Sequence, residues 1–120
     1  MPITSIQLAP GSLLGRLAPA DTTAATIFTA TVRTEITSIL ICNVTGSAAT
    51  FRLFHGVATS TYVVGNALYY DVSVPANTTT NLDAEVHAGI NLAATDTLGV
   101  RTGTADAITF SVYGVTQNIP

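Results

Sequence analysis

The chain has 120 residues, a length that fits one domain with a core of its own. Only 9% of its residues are charged, the net charge is −3, and its four cations are all arginine (Arg16, Arg33, Arg52 and Arg101). That balance excludes a nucleic-acid surface, which needs clustered cations, and a single Cys excludes an intrachain disulfide or a Cys-only zinc site.

Apolar residues reach 48%, yet no run approaches the roughly 18 uninterrupted apolar residues of a membrane helix, so no membrane partner is expected. Thr and Ala supply about a third of the chain. The resulting surface is neutral, hydroxyl-rich and partly apolar. Monomers usually carry more charge, so coverage by partners is expected.

The first segment, "MPITSIQLAPGSLLGRLAPADTT", lacks a basic leader, and Pro10-Gly11 interrupts its apolar content, so it does not read as a secretory signal. Pro2, Pro10 and Pro19 stiffen it, and Ile3, Ile6, Leu8, Leu13, Leu14 and Leu17 make it more apolar than a solvated tail. We read residues 1–23 as an extended arm that packs on a neighbour, and residues 24–120 as the folded domain.

From about residue 24 the pattern is β. "ATIFTATV" (25–32) predicts a first strand. "EITSILICNV" (35–44) predicts a second, and its continuous apolar centre at 39–42 predicts burial on both faces. Gly46-Ser47 marks a turn. In "ATFRLFH" (49–55), Phe51, Leu53 and His55 point one way and Thr50, Arg52 and Phe54 the other. "GVATSTYVVGN" (56–66) reads as a loop, or a loop carrying a short strand.

"ALYYDVSV" (67–74) alternates, with Leu68, Tyr70, Val72 and Val74 on the core face and Tyr69, Asp71 and Ser73 outside. Pro75-Ala76-Asn77 stops it. Further strands are predicted at "TTTNL" (78–82), "DTLGVRT" (96–102) and "AITFSVYGV" (107–115), the last with Tyr113 outward. Residues 84–94 fit no period and read as a loop with a short strand. Seven or eight short strands at 8–12-residue spacing predict an all-β fold: a single β-sandwich or jelly-roll domain with an extended N-terminal arm.

Chemical sites are weak. Cys42 and His55 are a nucleophile–base pair only if they meet, and no third orienting group is evident. The two read instead as a small buried hydrophobe and a strand-end histidine. Asp83, Glu85 and His87 share one face of an extended chain, a spacing a divalent ion accepts, but the segment reads as a polar solvent face at a strand-to-loop transition. Asn43-Val44-Thr45 and Asn77-Thr78-Thr79 match the glycan acceptor pattern by virtue of Thr-rich composition, and Asn77 reads as a turn residue. No catalytic, metal or cofactor residue is assigned. Tyr69 and Tyr113, in the outward set, read as interface residues, and outward Arg52 as a further contact.

The succession "ATIFTA", "ITSILICNVTGSAATFRLFH", "NALYYDVSVPANTTTNL" and "GINLAATDTLGVRTGTADAITFSVYGV" is similar to small β-sandwich virion proteins of tailed bacteriophages. The features that carry the resemblance are the strand ending in Cys-Asn-x-Thr, the Gly-Ser-Ala-Ala-Thr turn, the "NALYYD…PANTT" hairpin and the "DTL…ADAITFSVYGV" end. It covers about residues 25–116, and such modules occur both in capsid decoration (cement) proteins and in tail or fibre components.

The resemblance implies an assembly protein, often trimeric, without catalytic residues or cofactors. A decoration protein on the capsid surface would have the major capsid protein and its own copies as partners, and would assemble in the host bacterial cytoplasm. Contact would be made by Ile3, Ile6, Leu8, Leu13, Leu14, Arg16 and Leu17 of the arm, with Arg52, Tyr69 and Tyr113 on the sandwich. The alternative is a tail, baseplate or fibre module with exposed Tyr residues on host glycans.

Overall fold

The computed structural model describes residues 12–83 and 90–117. Among these residues nine strands follow in chain order: β1 (Ser12–Leu17), β2 (Ala25–Thr29), β3 (Thr34–Asn43), β4 (Ala49–Gly56), β5 (Ala67–Val74), β6 (Thr79–Asp83), β7 (Ile90–Leu92), β8 (Thr97–Thr102) and β9 (Ile108–Thr116). A single 3-10 turn, Val64–Asn66, interrupts the β4–β5 connection.

Two antiparallel sheets pack face to face. Sheet I has the order β1-β9-β3-β6, with β7 beside β3 in line with β6; sheet II has the order β2-β8-β4-β5. The chain crosses between sheets at β1–β2, β2–β3, β3–β4, β5–β6, β7–β8 and β8–β9. This is the double Greek-key winding of a jelly roll, as the strand count and turn spacing predicted.

Period-two burial builds the core. Ile39 and Ile41 of β3 and Ile108, Phe110 and Val112 of β9 meet Phe51, Leu53, Leu98 and Val100 of sheet II, all buried. Phe51 and Phe110 bridge the sheets edge to face, with ring centroids 6.3 Å apart.

Four sequence expectations change. Residues 12–17 do not belong to an arm. They form β1, an outer strand of sheet I paired with β9, and Leu14 and Leu17 pack on the chain's own core. A six-residue stretch with apolar side chains on one face completes a sheet edge when a partner strand lies beside it. The expected arm of residues 1–23 therefore does not extend over Ser12–Leu17, and Ile3, Ile6 and Leu8 lie outside the described residues.

Strand β3 is not buried on both faces. Leu40 and Cys42 are only partly covered on the outer side, because among the described residues no layer packs outside sheet I there. Phe54 does point outward, as its alternation requires, yet it is 2% exposed. The loop after β4 folds back and lays Tyr62 beside it, with centroids 5.4 Å apart.

The fourth change is at β5. Phe51 pairs with Val72 and Leu53 with Tyr69, so β5 carries one residue more than β4 between these pairs. Asp71 has φ 53°, the left-handed turn of a bulge. The extra residue reverses the alternation. Tyr69 turns inward onto Phe51 (6.1 Å between centroids), while Tyr70 stands outside and is 45% exposed. The outward placement of Tyr69 is thus corrected.

Candidate interaction surfaces

The residues expected to contact partners separate onto different faces. On the outside of sheet I, Arg16 donates from Nε to Ser111 Oγ (2.9 Å) and from Nη2 to the Tyr113 hydroxyl (3.2 Å). The β1–β9 register places Arg16 against Ser111 and Leu13 against Tyr113, and Leu13 is exposed. Arg16 and Tyr113, 97 positions apart, therefore meet with Ser111 in one hydroxyl-rich patch.

The outside of sheet II is different. Arg52 donates to both carboxylate oxygens of Asp71, Nε to Oδ1 at 2.7 Å and Nη2 to Oδ2 at 3.1 Å. Its guanidinium lies 3.8 Å from the centre of the Tyr70 ring. Arg101 stands directly across the β4–β8 ladder from Arg52 and approaches the same Asp71 oxygen at 4.0 Å while donating to the Thr22 carbonyl. Like charges facing each other across a ladder repel, and Asp71 sits between them. The Arg52 hydrogen bond holds the Asp71 carboxyl below its ordinary range, against desolvation and with help from both arginine charges. Apolar Leu68, Val57, Val63 and Val64 on β5 and the loop before it are also exposed.

A third polar group closes one end of the sandwich. Buried Asp96 joins His55 (Nε2 to Oδ2, 2.9 Å) and accepts from the backbone N–H of Ala58 and of Ala93, both at 3.1 Å. Its carboxyl is held below the ordinary range first by His55, against burial, and then by the two backbone donors. Nearby, the Tyr62 hydroxyl donates to Thr97 Oγ1 at 2.9 Å and pairs with Thr26 Oγ1 at 2.6 Å. Together these bonds stitch residues 57–66 to sheet II. The Tyr62 ring rests on Gly99, where any Cβ would overlap it.

Cys42 and His55 do not meet. They lie on strands of opposite sheets, and His55 is engaged by Asp96. Asn43 has both amide hydrogens in use, to the Ser47 and Val74 carbonyls, and Oδ1 accepts from the N–H and hydroxyl of Thr45. The Asn-x-Thr is thus the internal brace of a turn. Asn77 has φ 54°, the turn conformation its sequence context predicted. Glu85 and His87 lie outside the described residues, among which no three His, Cys, Asp or Glu side chains gather. An open hollow of about 360 Å³ is lined by Arg33, Glu35, Asn91, Val115 and Gln117, and none of the residues proposed from sequence borders it.

Sequence reasoning missed Asp71, Asp96 and Tyr62 as organising residues. Asp96 had a local signal, since Asp in a turn accepts nearby backbone N–H groups. Asp71 and Tyr62 had none, because their partners come from other strands. Comparison of the chain with protein-family models, curated proteins and solved structures returned no match.

Proposed function

We propose that the chain is a structural protein of a tailed-bacteriophage virion: a decoration protein that binds the assembled shell as a homotrimer and stabilises it. The observation that carries this reading is the exposed apolar set Val57, Val63, Val64, Leu68 and Tyr70 on a chain with so few charges. Exposed apolar groups in such company mark contact surfaces, and aromatic and Arg side chains are the usual anchors. The mechanism is adhesive. Apolar area buried at about 25 cal/mol/Å² and repeated over many shell positions resists internal pressure through multivalency.

The test is co-sedimentation of the full chain with expanded capsids, beside a chain lacking residues 1–11. The cut stops before β1, because a longer one removes a strand of the sandwich. Binding by the full chain and weaker binding by the shortened one are expected. Equal binding removes the arm from the contact, and no binding to any shell overturns the reading.

A tail or fibre module on host glycans is the second reading, favoured by the exposed Tyr70 ring beside Arg52 and Asp71. A glycan array without signal removes it.

A further inference from the structure

The sheet edges differ in how they are protected. Strand β1 has a register break between Leu13 and Gly15, β2 one between Thr26 and Phe28, and β5 two. Bulges of this kind twist an edge out of line and discourage another strand from adding to it. Strand β6 has no such break: five consecutive residues pair with β3 from Thr79–Cys42 to Asp83–Ser38. Before its terminal Asp83 it contains only Thr79, Thr80, Asn81 and Leu82, with no charge and no proline.

The hydrogen-bond phase of this edge can be derived. Asn43 N–H donates to the Thr78 carbonyl at 2.9 Å, so these two are a hydrogen-bonded pair. Alternation makes Ile41–Thr80 and Ile39–Leu82 the next such pairs. The N–H and C=O groups of Thr79 and Asn81 then point away from β3, where no described strand pairs with them. Both residues are also exposed.

We propose that this edge accepts the N-terminal segment of a second copy of the chain as an added strand. Residues 1–11 carry no charged side chain, and in an extended chain Thr4, Ile6 and Leu8 share one face, the period a sheet edge requires. At ~3.3 Å per residue the segment spans about 36 Å, enough for a five-residue pairing and a bridge of about 20 Å. It leads into β1, at the opposite edge of the same sheet from β6. Donor and acceptor edges are therefore different surfaces, so the exchange runs head to tail and closes into a ring when the rotation allows. This deepens the homotrimer part of the function proposed above.

The experiment uses the isolated chain without capsids, so its failure leaves shell binding untouched. Sedimentation measures the mass of the full chain, of the chain lacking residues 1–11 and of Thr79→Pro. Proline at 79 removes an N–H that points away from β3 and that no described strand pairs with, so the fold is retained while the edge is blocked. The full chain is expected at a multiple of 12.3 kDa and both variants at one chain mass. Hydrogen exchange on the full chain gives a readout independent of the proline variant: the Thr79 and Asn81 amides exchange about tenfold or more slowly than in the shortened chain. A monomeric full chain overturns the proposal, as does oligomeric Thr79→Pro or unprotected amides at 79 and 81. An oligomer that survives removal of residues 1–11 overturns the choice of occupant.

Discussion

Arg52 and Asp71 form a two-point ion pair that exists because β5 carries one residue too many for its partner strand. The bulge puts Asp71 at φ 53° and turns its carboxylate between Arg52 and Arg101, which face each other across the neighbouring ladder. Backbone conformation and charge placement are one feature at this position.

Two substitutions separate them. Asp71→Gly removes the carboxylate but suits the left-handed backbone, whereas Asp71→Ala removes it and strains the backbone as well. Both variants are expected to melt below the parent protein, and Asp71→Ala roughly 3–6 °C below Asp71→Gly. Equal melting temperatures by circular dichroism would show that the bulge relaxes without cost.

Asn43 is buried, uses one donor and its acceptor inside the turn at 44–48, and gives its other donor to the Val74 carbonyl of β5. Asn43→Ala strands the Val74 carbonyl in the interior, and destabilisation of about 2–4 kcal/mol in urea unfolding is expected. Asn43→Asp is expected to be worse at pH 7, because a carboxylate cannot donate to two carbonyls. Passage through a glycosylating compartment should leave Asn43 unmodified by mass spectrometry.

Gly99→Ala tests the covering of sheet II by the loop after β4. The new methyl group needs the volume of the Tyr62 ring, and that ring is held through its hydroxyl by Thr26 and Thr97. Loss of about 1–3 kcal/mol is expected from the overpacking. Proteolysis within residues 57–66 should quicken, since the loop loses its anchor. A slow, parent-like cleavage pattern would mean that the ring is not what holds the loop.

The Asp96 contribution depends on pH with a definite sign. Its carboxyl titrates below the ordinary value of 3.8 in the folded chain. The stabilisation is therefore complete above that value and lost as pH falls through the depressed folded pKa. Asp71 acts in the same direction. The melting temperature should vary little from these two groups between about pH 5 and 7 and fall below about pH 4. Asp96→Asn should cost about 1–3 kcal/mol at pH 7 and flatten the acid limb, so that the two curves approach each other in acid. Parallel curves down to pH 2.5 would exclude Asp96 as a source of the acid sensitivity.

The strands after residue 24 were legible because alternation and turn residues are local. Phe51 and Leu53, Leu98 and Val100, and Ile108, Phe110 and Val112 point inward as their spacing indicates. The candidate surface was legible only in fragments. Arg16, Arg52 and Tyr113 do stand at the surface with polar partners, but on two opposite faces, and no sequence pattern tells one outer face from the other. Tyr69 and Tyr70 were exchanged because a one-residue bulge moves the side chains just before it to the other face. Cys42 looked doubly buried because an apolar run has the same appearance whether or not a second layer covers it.

Composition and periodicity by themselves determined an all-β chain of short strands with a neutral, Thr-rich surface, since those features rest on residue type and on neighbours one or two positions away. Tertiary structure decided which strands lie at the edges, that β1 belongs to the sandwich, and that Asp71 lies between two arginines. Those facts depend on pairings between residues tens of positions apart. There, register and a single inserted residue outweigh any local preference.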